Sequence, residues 1–151
     1  MIIRETVKKD SLDIWLWRTD KMSVFFSKNK KKITIKNHNR WFKRNLKNPN
    51  VKSYIGLIKK KNKEKKVGIV RFKIKGKSAL VSINLNPAMR GRGLSYMLLA
   101  AGIKKILKFG KIKLVAEIKM NNLASINCFM KNKFIFFKSK NNYNFYHRYS
   151  D

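Results

Sequence analysis

The sequence predicts a mixed α/β domain of the α+β kind, with short strands and amphipathic helices sharing one sheet. Three observations carry this reading. Val70, Phe72 and Ile74 alternate with Arg71, Lys73 and Lys75, and Ala79, Val81, Ile83 and Leu85 alternate with Leu80, Ser82, Asn84 and Asn86. That two-residue period belongs to strands with one buried face. A proline stop and a glycine-rich turn then lead straight into the clearest helix of the chain, Arg92 to Phe109. After Gly110 a strand, a capped helix and a terminal hairpin follow in turn.

The elements read in order from the N-terminus. Ile2 to Val7 is a first strand. Ser11 to Trp17 is a short helix with Ser11 as its cap and Leu12, Trp15 and Leu16 on one stripe. Lys21 to Lys36 reads as a polar, lysine-rich loop carrying Phe25 and Phe26. Asn37 is placed to cap a second helix with Trp41, Phe42 and Leu46, which stops before Asn48-Pro49. Val51 to Lys60 is a strand, Lys61 to Lys66 a charged hairpin turn, and Val67 to Lys75 the returning strand. Gly76-Lys77 turns the chain into the strand that ends at Leu85.

The helix from Arg92 begins apolar on all sides (Leu94, Met97, Leu98, Ala100, Ala101). It ends amphipathic, with Lys104, Lys105 and Lys108 opposite Leu99, Ile103, Ile106 and Leu107, so it starts in the core and leaves toward solvent. Gly110 stops it. Ile112, Leu114, Ala116 and Ile118 share one strand face with Glu117 opposite. Asn122 caps a last helix with Ile126, Phe129 and Met130 inward, and Phe134 to Phe137 pairs with Tyr143 to Tyr149.

Composition narrows the function classes. A hydrophobic fraction of 44% indicates a folded chain rather than a disordered one. No apolar run reaches the ~18 residues of a membrane span, and charges occupy the first ten residues where a signal peptide needs its apolar segment. The single cysteine, Cys128, excludes an internal disulfide, suits a reducing cytoplasm and reads as a buried, inert thiol. The formal net charge of +31 has two readings. It suits a polyanion partner, but the lysines are spread from Lys8 to Lys140 among abundant Asn, Ile and Phe, as AT-rich codon usage would also produce.

The stretch Ser82 to Ser95 is where chemistry concentrates. Arg90, Gly91, Arg92, Gly93 and Ser95 place small residues and cations where the amides of a helix start point outward, an arrangement that binds phosphate. The turn resembles the R-x-x-G-x-G/A block of the GCN5-related N-acetyltransferases, with Ser95 where glycine or alanine is usual. A second block, N-x-x-S-x-x-x-(F/Y)-x-x-x-G-F, is matched by Asn122, Ser125, Phe129 and Phe134, with Lys133 in place of the glycine.

The resemblance covers nearly the whole chain as one acetyltransferase domain over residues 1–151. It implies a central, twisted, mostly antiparallel mixed sheet, splayed between its fourth and fifth strands and flanked by about four helices. It also implies acetyl-CoA as co-substrate and no metal. The pantetheine arm would pair with the fourth-strand edge at Ile83 to Leu85. The pyrophosphate would rest on Arg90, Gly91, Arg92, Gly93, Leu94 and Ser95, each charge-assisted bond contributing about 1.5–3 kcal/mol. Asn122 would bond the cofactor arm or only cap its helix, with Ser125 beside it.

Transfer to an amine needs a base, oxyanion donors and a proton for the thiolate. Glu117 is the base candidate, acting directly or through water; an ion pair with Lys113 or Lys119 is the alternative. Phe129 stands where many relatives place a tyrosine acid, leaving Tyr96, Tyr143, Tyr146 or water for that role.

The blocks W-R-T-D (Trp17 to Asp20), H-N-R-W-F (His38 to Phe42), G-I-V-R-F (Gly68 to Phe72) and Ala116 to Phe129 narrow the resemblance. Together they are similar to acetyltransferases that modify the 4-amino group of nucleotide-linked sugars in pseudaminic and legionaminic acid synthesis. That likeness implies His38, Trp41 and Arg71 near the acceptor, Trp41 stacking on a ring and Arg71 holding a diphosphate. Trp41 and Phe42 as core staples and His38 as an ordinary helix residue are the alternative. Two other classes stand beside it: a ribosomal-type acetyltransferase of protein N-termini or lysines, and a non-enzymatic basic module for nucleic acid, which would have no need of the phosphate turn. A monomer and a homodimer through the terminal hairpin are both compatible with the sequence.

Overall fold

The computed structural model describes residues 1–60 and 63–150. Seven strands form one sheet: β1 (Ile2–Glu5), β2 (Val51–Lys60), β3 (Lys63–Lys75), β4 (Ser78–Leu85), β5 (Lys113–Lys119), β6 (Ile135–Lys140) and β7 (Tyr143–Arg148). Their spatial order is β1-β2-β3-β4-β5-β7-β6, and every pairing is antiparallel except β4 with β5. That parallel contact covers only Ser78–Leu80 against Lys113–Val115. Beyond it β4 stays with β3 as far as Leu85↔Gly68, while β5 follows β7 to Lys119↔Tyr143, so the sheet opens into a V as expected.

Five α-helices occur among the described residues: α1 (Ser11–Thr19), α2 (Lys21–Phe26), α3 (Ile35–Lys47), α4 (Leu94–Ile106) and α5 (Leu123–Lys131). None is long and apolar enough to cross a membrane. The strand alternation sorts them into two layers. Val70 and Phe72 of β3 join Leu98, Leu99, Ile103 and Ile106 of α4, Leu114 and Ala116 of β5, and Cys128 and Phe129 of α5 in the larger core. Ile69 of β3 points the other way, to Ile14 and Trp17 of α1 and Phe42 of α3. α4 presses close to the sheet because Gly102 leaves room: a Cβ there would lie 2.6 Å from Val70 Cγ1.

Several local expectations are corrected. Lys21–Phe26 is a fifth helix rather than loop, since the Asp20 carboxylate accepts from the Met22 and Ser23 amides and starts it. Thr34, not Asn37, caps α3, by accepting from the Asn37 amide at 3.3 Å. Asp10 precedes α1, and Ser11 is its first residue, donating to Asn39 Oδ1 rather than capping. Leu12 and Leu16 are exposed, and Ile14 and Trp17 form the buried face of α1 instead. The stripe misleads because α1 is packed on one side only, and a helix of nine residues, about two and a half turns, offers two apolar faces to choose between. On α5, Met130 is exposed and Cys128 takes the inward position. The strands of the lysine-rich hairpin extend to Lys60 and resume at Lys63. Residues 61 and 62 of the expected turn lie outside the described residues.

α1 is held from its start by a buried carboxylate. Asp10, with no exposed surface, receives both Arg4 guanidinium nitrogens at 2.7 and 2.8 Å, the Lys66 ammonium at 2.8 Å and the Val7 amide at 2.9 Å. Burial alone would raise its carboxyl; Arg4, Lys66 and the Val7 amide outweigh that and hold it well below the usual carboxylate range.

Candidate active site

The V between β4 and β5 opens into a cleft of about 930 Å³. Its walls come from β4 (Val81 to Leu85), β5 (Glu117 to Lys119), the start of α4, the start of α5, and the α1–α2 region with the loop that follows. Such a wedge has an unpaired strand edge on one side, to which an extended ligand can add hydrogen bonds.

At one end the chain leaves β4, is stopped by Pro87 in a short turn, and enters α4 through Gly91 (φ 70°) and Gly93 (φ 68°). Left-handed backbone at both positions is what glycine permits without strain. Gly93 is the N-cap of α4 and has no side chain to satisfy the first amides, and a Cβ at Gly91 or Gly93 would meet nothing within 4 Å. The helix start is thus an open nest of donors at the positive end of a dipole, fitted to a phosphate group. Arg90, Gly91 and Ser95 line the cleft, Arg92 and Gly93 are exposed at its rim, and Leu94 is half-buried behind them. Ile83 and Leu85 line the β4 wall.

The Arg90 side chain is engaged within the protein. It donates to Asp20 Oδ2 at 2.6 Å and to Ser23 Oγ at 3.0 Å, and Ser23 donates in turn to Asn84 Oδ1 at 3.0 Å. This relay ties the turn, α2 and β4 together. Burial pushes the Asp20 carboxyl up, but Arg90 and the two capping amides prevail and hold it below its ordinary value. Backbone amides, rather than the Arg90 guanidinium, are therefore the groups the turn presents.

Across the V, Glu117 on β5 lines the cleft and pairs with Lys28 from the loop after α2, not with Lys113 or Lys119. Lys119 instead donates to the Phe25 carbonyl at 3.0 Å. Asn122 caps α5 by accepting from the Ser125 amide at 3.2 Å, and both residues also line the cleft. Burial pushes the Cys128 thiol up, partly offset by the Ser95 hydroxyl. Phe129 lines the cleft edge-on to Phe134, and no tyrosine stands among the described lining residues. The hydroxyls among the described lining residues are those of serines and a threonine, including Ser82, Ser95 and Ser125.

At the other end Trp41 and Arg71 line the cleft and His38 does not. His38 is wholly buried, stacked on Phe42 at 5.8 Å, so it packs α3 and cannot touch a ligand. Burial, then the charge of Arg18, keeps its imidazole below the ordinary value. Arg18 joins the lining, although the sequence pattern holds it only as part of the block Trp17 to Asp20 and gives it no role of its own, and Lys30, Lys31 and Lys32 line it too. The residues given no role of their own carry faint signals: Asp20 is an N-cap type shortly before Met22, Val24, Phe25 and Phe26, and Arg18 lies in the block Trp17 to Asp20.

No curated protein sequence matches this chain significantly. Among solved structures, a domain from Methanocaldococcus jannaschii superposes with a TM-score of 0.87 at 23% identity, covering 99% of this chain and 97% of that one. A ribosomal-protein-alanine N-acetyltransferase from Brucella melitensis gives 0.80 at 17% identity, covering 99% and 100%. The Campylobacter jejuni N-acetyltransferase PseH, in complex with acetyl coenzyme A, gives 0.72 at 16% identity, covering 99% and 100%. At these identities the likeness is one of fold. The model of the acetyltransferase (GNAT) family matches residues 12–134, and with its split sheet and its glycine-built turn into α4 the chain belongs to that family.

Proposed function

We propose that this acetyltransferase acetylates the 4-amino group of a nucleotide-linked amino sugar for cell-surface glycan synthesis. As a family member it uses acetyl-CoA as co-substrate. The amides from Gly91 to Ser95 would hold the pyrophosphate, and Ile83 to Leu85 would offer a strand edge to the pantetheine arm. The observation that carries the choice of acceptor is the charge of the cleft's other half. Arg18, Lys30, Lys31, Lys32 and Arg71 line it, and Glu117 is the one carboxylate among the described lining residues. Such a field favours a phosphate-bearing acceptor and disfavours cationic amines. The sequence blocks from Trp17 to Asp20 and from His38 to Phe42 support the same reading.

In the transfer, the neutral amine attacks the thioester carbon, a C–N bond forms and the C–S bond breaks. The proton lost by nitrogen passes to Glu117, directly or through water, and the departing thiolate is protonated from solvent, because Phe129 has no hydroxyl to give. Amides on the free edge of β4 stabilise the intermediate oxyanion.

The test measures thiol release from acetyl-CoA with a UDP-linked 4-amino sugar, an alanine-initiated ribosomal-protein peptide and an aminoglycoside as rival acceptors. Release with the sugar nucleotide, with the acetyl group on N4, is the expected result. Release with the peptide alone would replace this reading by the protein-acetylating one.

A further inference from the structure

We propose that Arg18 and Arg71, both held against Trp41, form a diphosphate-binding subsite for the acceptor, with Trp41 as the platform of the two guanidiniums rather than a stacking face for the ligand's ring. The inference rests on the amino-sugar reading above and adds to it a residue, Arg18, and a different task for Trp41.

The three side chains come from three separate elements. Arg18 lies on the last turn of α1, Trp41 in the middle of α3, and Arg71 on the β3 face opposite the larger core. All three line the cleft. The Arg18 guanidinium carbon sits 4.6 Å from the centre of the Trp41 ring and that of Arg71 sits 5.2 Å from it. Both distances are within the ~6 Å of a cation–π contact, so the two cations can stand no more than about 10 Å apart. With His38 at 5.5 Å and Phe42 at 6.4 Å beside it as well, the Trp41 ring has little surface left for a sugar or a base.

Neither arginine is neutralised. Among the described residues, neither has a carboxylate within 4.0 Å or a side-chain hydrogen bond, whereas Arg4 and Arg90 each bind an aspartate. Two half-buried like charges facing one cleft repel each other. Burial first, and then the charge of Arg18, holds the Arg71 guanidinium below its ordinary value. Burial does the same to Arg18. Stacking on Trp41 offsets part of this cost, and the donors that ring contact leaves open are those an anion would fill. A planar guanidinium presents paired donors to phosphate oxygens, and two of them suit the two phosphates of a diphosphate.

The experiment uses the full chain saturated with CoA, so that the phosphate turn is occupied and any further anion site stands alone. Calorimetry then measures binding of UDP, inorganic pyrophosphate and uridine to the wild type, to Arg18→Gln and to Arg71→Gln. We expect UDP and pyrophosphate to bind, uridine not to bind, and either substitution to raise both dissociation constants at least tenfold while CoA affinity stays within twofold. The unchanged CoA affinity shows that the variants are folded. Arg18→Lys, which keeps the charge without the flat fork, should recover only part of the loss.

Uridine binding as tightly as UDP, UDP binding unaffected by both substitutions, or no UDP binding at all would each overturn the proposal. Failure of the wider reading looks different. Arginine-dependent UDP binding without turnover of the amino sugar keeps the subsite and ends that acceptor. Turnover of the sugar nucleotide with an unchanged KM in Arg18→Gln keeps the acceptor and ends the subsite.

Discussion

On the proposed cofactor side of the cleft the groups on offer are backbone amides and a strand edge, all within residues 83–95. On the proposed acceptor side they are side chains of Arg18, Trp41, Arg71 and Lys30 to Lys32, gathered from α1, α3, β3 and a loop. The first half is positioned by backbone geometry: two left-handed glycines and the N-terminus of α4. The second is positioned by tertiary contacts, through the Asp10 ion network under α1 and the cation–π stack on Trp41. A family can therefore keep the one while replacing the other, since side chains exchange without moving a turn.

Glu117 lines the cleft from β5 and belongs to neither group, so removing its carboxylate should spare both. Glu117→Gln should lower kcat about a hundredfold or more, the range of a lost general base, while CoA and UDP affinities stay within twofold in calorimetry. Unchanged turnover would reduce Glu117 to its ion pair with Lys28.

Asp10→Asn should separate the halves by stability. It leaves Arg4 without its aspartate and Lys66 with Asp13 alone, at 2.6 Å, and those side chains are 30% and 28% exposed and can be partly hydrated. The cost should be about 2–3 kcal/mol, below that of a fully buried broken pair. Denaturant unfolding measures the loss, and the KM of the acceptor should rise more than that of acetyl-CoA, because α1 carries Arg18. The same network gives a sign to the pH dependence. The folded carboxyl of Asp10 lies below its unfolded value, so its contribution is fully present above about pH 4 and is lost as the pH falls further. Wild-type stability should therefore drop below pH 4, and Asp10→Asn should flatten that part of the profile.

Gly93→Val tests the backbone half. A β-branched residue at φ 68° costs about 1–2 kcal/mol or moves the turn, and either effect should weaken acetyl-CoA binding about tenfold. UDP binding to the Arg18–Arg71 subsite should not change.

The contrast between the halves also explains what the sequence made legible. The strands from Val51 to Leu85, the turn and the Asn122 cap rest on local periodicity or on contiguous motifs, and they could be read in one dimension; the split of the sheet is only an implication of the family resemblance. α2 could not, because six residues make a poor helix alone and the relay from Asp20 through Arg90 to Asn84 joins segments about sixty to seventy positions apart. His38 and Arg18 show the same limit. Trp41 and His38 sit in one block and, three residues apart, on neighbouring positions of one helix face with their rings 5.5 Å apart, yet Trp41 reaches the cleft while His38 is wholly buried, a difference set by what packs over each and not by the helical period. Arg18 acquires a role only when α3 and β3 bring Trp41 and Arg71 to it.

The smallest effect is expected at the end of α5, where Lys133 holds φ 64° in the position that relatives fill with glycine. The Lys133 amide donates to the Met130 carbonyl and the Phe134 amide to that of Phe129, the pair of bonds that closes a helix through a left-handed residue. Lysine supports this ending at the cost of its Cβ strain. Lys133→Gly should remove the strain but give back some of it through the greater freedom of glycine in the unfolded chain, for a net gain of about 0.5–1 kcal/mol in denaturant unfolding. Both halves of the cleft should keep their affinities, because the substitution lies at the far end of α5 from Asn122 and Ser125. A loss of stability instead would show that the lysine side chain, rather than the backbone bonds, secures the turn from α5 into β6.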